Sequence, residues 1–348
     1  MDRIGVAFLG DLAPPDFVSI VALAEELGYE SAWMAEGRSG DQFSILTACA
    51  LATERIKLGT SISSVFVRTP STIGMAAATV DHFSNGRFIL GLGSDHKAQV
   101  RPMHGGVYVQ PMARLRETVD VVRQLWATRD IDYHGEVLDI DLFPLWFEPL
   151  RREIPIYVAA VQPKMLALAG EISCGALSTW HSVEQARQAR EYVNAGAARA
   201  GKAPEDVDLA QMIPTYISSD GDVARAHARR RAAFKAYMLP RYRMRMEEAG
   251  FAEEVQAVAA LYGEGRVEEA IELVPRGLIE AFALVGTPDD ARAQLRRFRD
   301  AGVTLPILSL RTPPGLPMSR EETIALFRET IRECALAGGP APAPAAAR

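Results

Sequence analysis

Five short stretches hold the residues with the most chemical potential: Ala35-Glu36-Gly37, Gly59-Thr60-Ser61-Ile62, Gly91-Leu92-Gly93-Ser94-Asp95-His96-Lys97, Ala159-Ala160-Val161-Gln162-Pro163 and Ser178-Thr179-Trp180-His181. Each closes a short apolar run, where a strand end would deliver side chains and turn amides to one place. His96 and Glu36 are the candidates for proton transfer, His96 being favoured because an unperturbed imidazole titrates near neutrality. Taken singly the stretches say little. GLGSDHK lacks the further glycine of a dinucleotide fingerprint and the Gly-Lys-Ser/Thr of a phosphate loop, so alone it reads as a tight turn. A histidine at one strand end is more often solvated than catalytic, an acid before a glycine turn is usually solvated, and Trp180 is as readily plain core as a wall of a site. Mostly neutral turns of this kind suit a bound organic cofactor that carries the chemistry itself.

Other chemistries have no residues to support them. The six histidines show no pairing one helical turn apart with an acid between, so no metal is expected. Cys49, Cys174 and Cys334 lie far apart, which argues against disulfides and against zinc. There is no Gly-X-Ser-X-Gly elbow for covalent hydrolysis. The formal charge of −6 is small for 348 residues, and the one basic block, Arg229-Arg230-Arg231, falls in an Ala/Arg helix that reads as a solvated face; a nucleic-acid partner is not expected. No apolar run approaches a membrane span and the start reads as a first strand, so a cytoplasmic protein is expected.

Short apolar runs alternate with longer amphipathic ones along the chain. Strands are predicted at Ile4–Leu9, Ser31–Ala35, Ile56–Thr60, Phe88–Leu92, Ile156–Ala160, Ala176–Thr179, Val207–Ile217 and Leu305–Leu310, with helices at 17–27, 43–52, 72–83, 114–126, 164–171, 184–200, 222–237 and 320–334. Eight such units make a closed (β/α)8 TIM barrel of the α/β class the economical topology, because closure removes both sheet edges. Thr287-Pro288-Asp289-Asp290 reads as the capped start of a further helix. One barrel domain is expected over 1–337, with insertions near 130–149 (a hairpin) and 239–277 (helices) of a kind that commonly covers an active site. A Pro/Ala tail at 338–348 is expected to be disordered.

The runs AEELGYESAW, ATERIKLGTSISSVFVRTPSTIGMAAATVDHFSNGRFILGLGSDHKAQ, PIYVAAVQPKMLALAGEISCGALS and LIEAFALVGTPDDARAQL resemble the luciferase-like superfamily, and within it are most similar to F420-dependent methylenetetrahydromethanopterin reductases. The resemblance implies a deazaflavin hydride carrier, coenzyme F420, across the C-terminal mouth of the barrel, its ring against a bulge whose non-prolyl cis peptide maps to Ser61-Ile62. Gly93, Ser94 and the turn Ala159, Ala160, Val161, Gln162 and Pro163 would hold its tail, with Ala35 and Trp180 also against the cofactor. Departures from those reductases are Ala7 in place of glutamate, Glu36-Gly37 in place of Asp-His, His96 in place of aspartate and Gln162 in place of glycine; the lost acids put the methanopterin activity itself in doubt. The reading is therefore hydride transfer between F420 and a C=N or activated C=C bond of a small organic substrate, in a homo-oligomer. Its alternatives are a flavin mononucleotide (FMN)-dependent monooxygenase of the same superfamily and a non-catalytic cofactor-binding relative.

Overall fold

In the computed structural model, which describes residues 3–335, eight parallel strands close into a barrel. They are β1 Gly5–Phe8, β2 Ser31–Met34, β3 Lys57–Thr60, β4 Phe88–Gly93, β5 Ile156–Ala159, β6 Gly175–Thr179, β7 Asp208–Ile217 and β8 Leu305–Leu310. Gly5 pairs with Ile307 on one side and Ser31 on the other, and Gly175 of β6 pairs with Asp208 of β7, so the ring has no open edge. The outer helices are α1 Pro14–Glu26, α2 Gln42–Ala52, α3 Pro70–Phe83, α4 Pro111–Thr128, α5 Pro163–Ile172, α6 Val183–Arg199, α7 Pro288–Asp300 and α8 Arg320–Cys334. Asp41, Thr69, Ser182, Thr287 and Ser319 each accept a first-turn N–H, which fixes where the chain turns from loop into helix at about 1 kcal/mol per cap. The expected tail at 338–348 lies outside the described residues, and no helix among those described is long and apolar enough to cross a membrane.

The barrel lumen is filled rather than open: Ala7, Trp33, Ile89, Tyr157, Leu177, Ala210, Met212, Leu305 and Ile307 form its cluster. Trp33 and Tyr157 meet with ring centroids 5.4 Å apart. Room for them comes from glycines on neighbouring strands, since a Cβ on Gly59 would stand 2.4 Å from Trp33 and one on Gly175 2.5 Å from Tyr157.

An ionic web ties the N-terminal end of the barrel. Arg3 bridges Asp208 (2.6 Å) and Glu30 (2.7 Å), and Asp208 also accepts hydrogen bonds from Tyr157 and Thr304. Burial alone would raise the Asp208 carboxyl, but these bonds outweigh it and hold the group below its ordinary range. Because this end is remote from strand C-termini, conserving the web matters for stability rather than chemistry. Asp208→Ala is expected to destabilise the fold by about 2 kcal/mol, discounted for partial exposure, with no change in ligand binding at the mouth; urea unfolding checks the first and ligand titration the second.

One expectation needs correction. The segment 222–237 was expected to be the seventh outer helix. It forms the helix Gly221–Met238, but its alanines pack with the helices Pro240–Met246, Ala252–Gly263, Val267–Glu272 and Arg276–Phe282 in a separate apolar cluster. The wall position goes to α7, whose Ala291, Leu295 and Phe298 join the main core. The helical cap after β7 thus runs from 221 to 282 and ends in a short strand, Leu284–Gly286, alongside the last residues of β7. The other segment, 130–149, does contain a hairpin, Tyr133–His134 with Asp139–Ile140. It follows a helix rather than a strand, and it is tied to α4, where Glu117 accepts the N–H groups of Glu136 (2.8 Å) and Leu138 (2.8 Å).

Candidate active site

The most unusual backbone at the C-terminal mouth follows β3. Leu58 and Gly59 pair with Phe88 and Ile89, and pairing resumes with Ser63 and Ser64 against Leu92 and Gly93, so Thr60, Ser61 and Ile62 stand opposite only Leu90 and Gly91. This is a bulge. The Thr60 hydroxyl replaces the missing ladder contact, donating to the Gly91 carbonyl (2.8 Å) and accepting the Gly91 N–H (2.8 Å). The Ser61–Ile62 peptide is cis, at the position the resemblance implies. Ile62 leans over the top of the lumen cluster against Gly93, whose missing side chain permits it: a Cβ there would be 2.7 Å from Ile62 Cγ1 and 3.0 Å from Ala159. The Ser61 hydroxyl is buried with no protein partner, an expensive arrangement for a group that water cannot reach.

Glu36 belongs to this corner as an anchor. Its Oε1 accepts from Arg68 Nε (2.7 Å), its Oε2 accepts the Ser64 N–H (3.2 Å) and the Ser63 hydroxyl (3.3 Å), and its own N–H donates to the Ile62 carbonyl (3.3 Å). Arg68 also bonds Asp41 and lies over the Phe43 ring. With both oxygens engaged, Glu36 holds the outgoing chain of the bulge, and a role as mobile proton carrier is not what this geometry favours. Ala35 donates its N–H to the Phe8 carbonyl (3.2 Å), stitching β2 to β1.

On the next strands, the Gly93 carbonyl accepts from Val65 (3.0 Å) and the Ser94 hydroxyl from Tyr108 (3.2 Å). Of the turn after β5, Ala160 does not offer a free amide as expected, because its N–H continues the sheet to Leu177 (2.9 Å). Gln162 precedes α5 without capping it by its side chain, and Pro163 at the first helical position has no N–H, so the first-turn amides of Lys164 and Met165 form an uncapped positive end. His181 supports this turn from behind: Nε2 donates to the Val161 carbonyl (3.0 Å), and burial, with Arg245 adding, drives the imidazole down to about 3, so it stays neutral.

His96 faces the helical cap. Its ring meets Tyr242 edge to face at 5.8 Å, Tyr242 meets Trp180 at 5.9 Å, and Trp180 meets Phe282 at 5.8 Å. Trp180, in a left-handed conformation (φ 52°), is 5 % exposed and docks the cap onto β6. Neither ring nitrogen of His96 has a hydrogen-bond partner among the described residues. Burial lowers its pKa against the pull of Asp95, with Lys235 and Arg241 adding to the lowering, so the neutral imidazole prevails at pH 7.

The structure therefore gathers Glu36, Ser61, Ile62, Gly93 and Ala159 at one corner of the mouth and joins His96 to Trp180 at another. Sequence reasoning passed over Tyr242, Phe282, Lys235 and Arg311, and took Arg231 for a solvated residue although it is 9 % exposed. The signal available was spacing: Ala224, Ala228, Arg231, Ala232, Lys235 and Ala236 recur at three and four residues and so share one face of a helix.

The sequence pattern of the luciferase-like monooxygenase family matches residues 4–305. A Mycobacterium tuberculosis protein named as a coenzyme F420-dependent oxidoreductase is 32% identical over 329 residues, spanning 87% of this chain and 93% of its own length. The 5,10-methylenetetrahydromethanopterin reductase of Archaeoglobus fulgidus is 30% identical over 308 residues, spanning 87% and 91%. Among solved structures, the coenzyme F420-dependent tetrahydromethanopterin reductase of Methanopyrus kandleri superposes with a TM-score of 0.82 at 27% identity, covering 94% of this chain and 98% of that one.

Proposed function

Since the chain belongs to the luciferase-like monooxygenase family, we propose that it is an F420-dependent oxidoreductase that passes a hydride between the deazaflavin and a C=N or activated C=C bond of a small organic substrate. The observation that carries the cofactor assignment is the bulge after β3 with its buried, unpartnered Ser61 hydroxyl, in a chain similar over nearly its full length to proteins named for F420.

The residues present fit such a group. Ile62, brought forward by the bulge and backed by Gly93, offers an apolar surface for a flat ring, and Ser61 offers a hydroxyl that lacks a partner within the protein. The uncapped start of α5 suits an anionic tail. When bound, F420 supplies a carbon that gives or takes a hydride in a two-electron step. The protein's share is positioning and exclusion of water: Tyr242 and Trp180, on and under the cap, screen the side of the mouth next to His96. His96, neutral with its ring nitrogens free, can take up a proton at the substrate during oxidation or return it during reduction.

Titration of the purified protein with F420 and, separately, with FMN, each oxidised and reduced, tests the assignment by ring absorbance and fluorescence. Selective binding of F420 is expected. Selective binding of FMN would move the chain to the oxygen-dependent monooxygenases, and binding of neither would sink both readings. With a turned-over acceptor in hand, His96→Gln is expected to lower kcat at least tenfold while the F420 dissociation constant stays within twofold; equal kcat would remove His96 from the chemistry.

A further inference from the structure

Resting on the oxidoreductase reading above, we propose that the substrate carries an oxoanionic group, a carboxylate or a phosphate, which docks on Arg231, Lys235 and Arg311 at the rim of the barrel mouth. Lys235 projects from the cap helix Gly221–Met238 with its Nζ 3.8 Å from the ring centroid of Tyr242 and 4.7 Å from that of Trp180. Arg231, one helical turn earlier, donates to the Thr312 carbonyl (2.7 Å) and to the Tyr216 hydroxyl (3.3 Å). Arg311, the residue after β8, donates to the Leu9 carbonyl (2.6 Å) while its buried Nε has no partner. Among the described residues none of the three forms an ion pair.

Two guanidiniums held by carbonyls and a phenol, and an amine held against two aromatic faces, are positioned without an ion pair. Elsewhere on the same helix Arg225 and Arg230 are paired with Asp222 and Glu268, while Arg229, which does not act on this cluster, has no ion pair among the described residues. The three groups lie close enough to act on one another: burial presses the Lys235 ammonium well below its ordinary range, and Arg231 and Arg311 add to that. Of the acids facing them, Asp11 accepts the Thr312 N–H (2.9 Å) and Asp95 the His96 N–H (2.7 Å); Asp11 acts on Arg311 through its charge without pairing with it, and the balance at Arg311 still favours loss of charge. Leaving buried charge unpaired is costly; an entering oxoanion relieves that cost at Arg231 and Arg311, gives Arg311 Nε an acceptor, and favours the protonated form of Lys235, whose Nζ then donates to it.

Topology separates this cluster from the cofactor's place. The bulge and the α5 terminus follow β3 and β5, whereas Tyr216 and Arg311 stand at the ends of β7 and β8, across the closed ring. The cap links the two sides through Tyr242, which touches His96 and Lys235 together. An acid group anchored on Lys235 therefore leaves the rest of a small molecule directed toward His96.

Inorganic phosphate and acetate, each titrated at constant ionic strength and followed by thermal melting and tryptophan fluorescence, test the proposal on the whole protein, and the preferred ion reports which oxoanion the site takes. Saturable stabilisation by at least one of them is expected, weakened tenfold or more in Lys235→Met and in Arg311→Gln and retained in Lys235→Arg. F420 affinity, titrated on the same samples, is expected to stay within twofold of wild type. No saturable anion effect on the wild-type protein, or an effect unchanged in both charge-removing variants, overturns the anion site. Anion binding that follows the charges in a protein without F420 affinity would uphold the site and remove the cofactor reading instead.

Discussion

Gly91→Ala is expected to cost at least about 3 kcal/mol of stability, leaving a chain that melts far below the wild type or fails to accumulate folded, whereas Gly93→Ala folds and loses cofactor affinity. The two glycines differ in what a methyl group meets. At Gly91 it would stand 1.8 Å from the Thr60 carbonyl oxygen and 3.0 Å from Leu177. The Thr60 backbone cannot retreat cheaply, because its own hydroxyl is bonded to both polar groups of Gly91 and the Ser61 N–H is held by the Met34 carbonyl (2.7 Å). At Gly93 the close atoms belong to the Ile62 side chain, 2.7 and 2.9 Å away, and to Ala159, 3.0 Å away. Ile62 can turn aside for roughly 1–2 kcal/mol, but it then no longer presents the same surface. Urea unfolding of both variants, with F420 titration of Gly93→Ala, separates the outcomes: wild-type stability in Gly91→Ala would refute the close approach, and unchanged affinity in Gly93→Ala would remove Ile62 from the cofactor surface.

This pair of glycines also shows where sequence reasoning ran out. Periodicity located all eight barrel strands, because each is a short apolar run bounded by turn residues and followed by a helical stretch. The GLG motif was visible too, but read alone it signified only a tight turn. Its reason lies in the extra residue of β3, and a one-residue mismatch between strands appears only when their register is known. The cap was harder still. The segment 222–237 has the length and amphipathicity of an outer helix, and nothing local distinguishes a helix that packs on the barrel from one that packs on four later helices. Arg231 looked solvated because it sits in a run of three arginines, yet the run turns about the helix, so Arg230 reaches Glu268 outside while Arg231 reaches Tyr216 inside. The meeting of His96 with Tyr242 joins residues far apart in the chain by aromatic packing, for which no spacing rule exists. Glu36 is legible as a strand-end acid, but its pairing with Arg68 is not, since Arg68 lies beyond the bulge.

His181 carries the second large expectation, a loss of stability in acid that one substitution removes. In the folded protein its imidazole is driven down to about 3 by burial and by Arg245, while in the unfolded chain it titrates near its ordinary 6.5. Above pH 6.5 both states are neutral and the group is silent. Below it the unfolded chain takes up a proton that the folded one refuses, so stability falls with pH across the window from about 6.5 to 3, by roughly 3 kcal/mol at pH 4. Gln at this position does not titrate, yet its amide can still donate to the Val161 carbonyl. His181→Gln is therefore expected to be less stable than, or equal to, the wild type at pH 7.5 and the more stable of the two near pH 4, with the difference following a single-proton slope in urea unfolding between those limits. A constant difference across that range would mean that His181 is already solvated enough to protonate in place. The same histidine underlies the Val161 carbonyl and so the turn into α5, which makes a coupled result informative: if acid loosens that turn before global unfolding, F420 affinity in the wild type should decline below pH 6 ahead of the unfolding transition, and the decline should be smaller in His181→Gln.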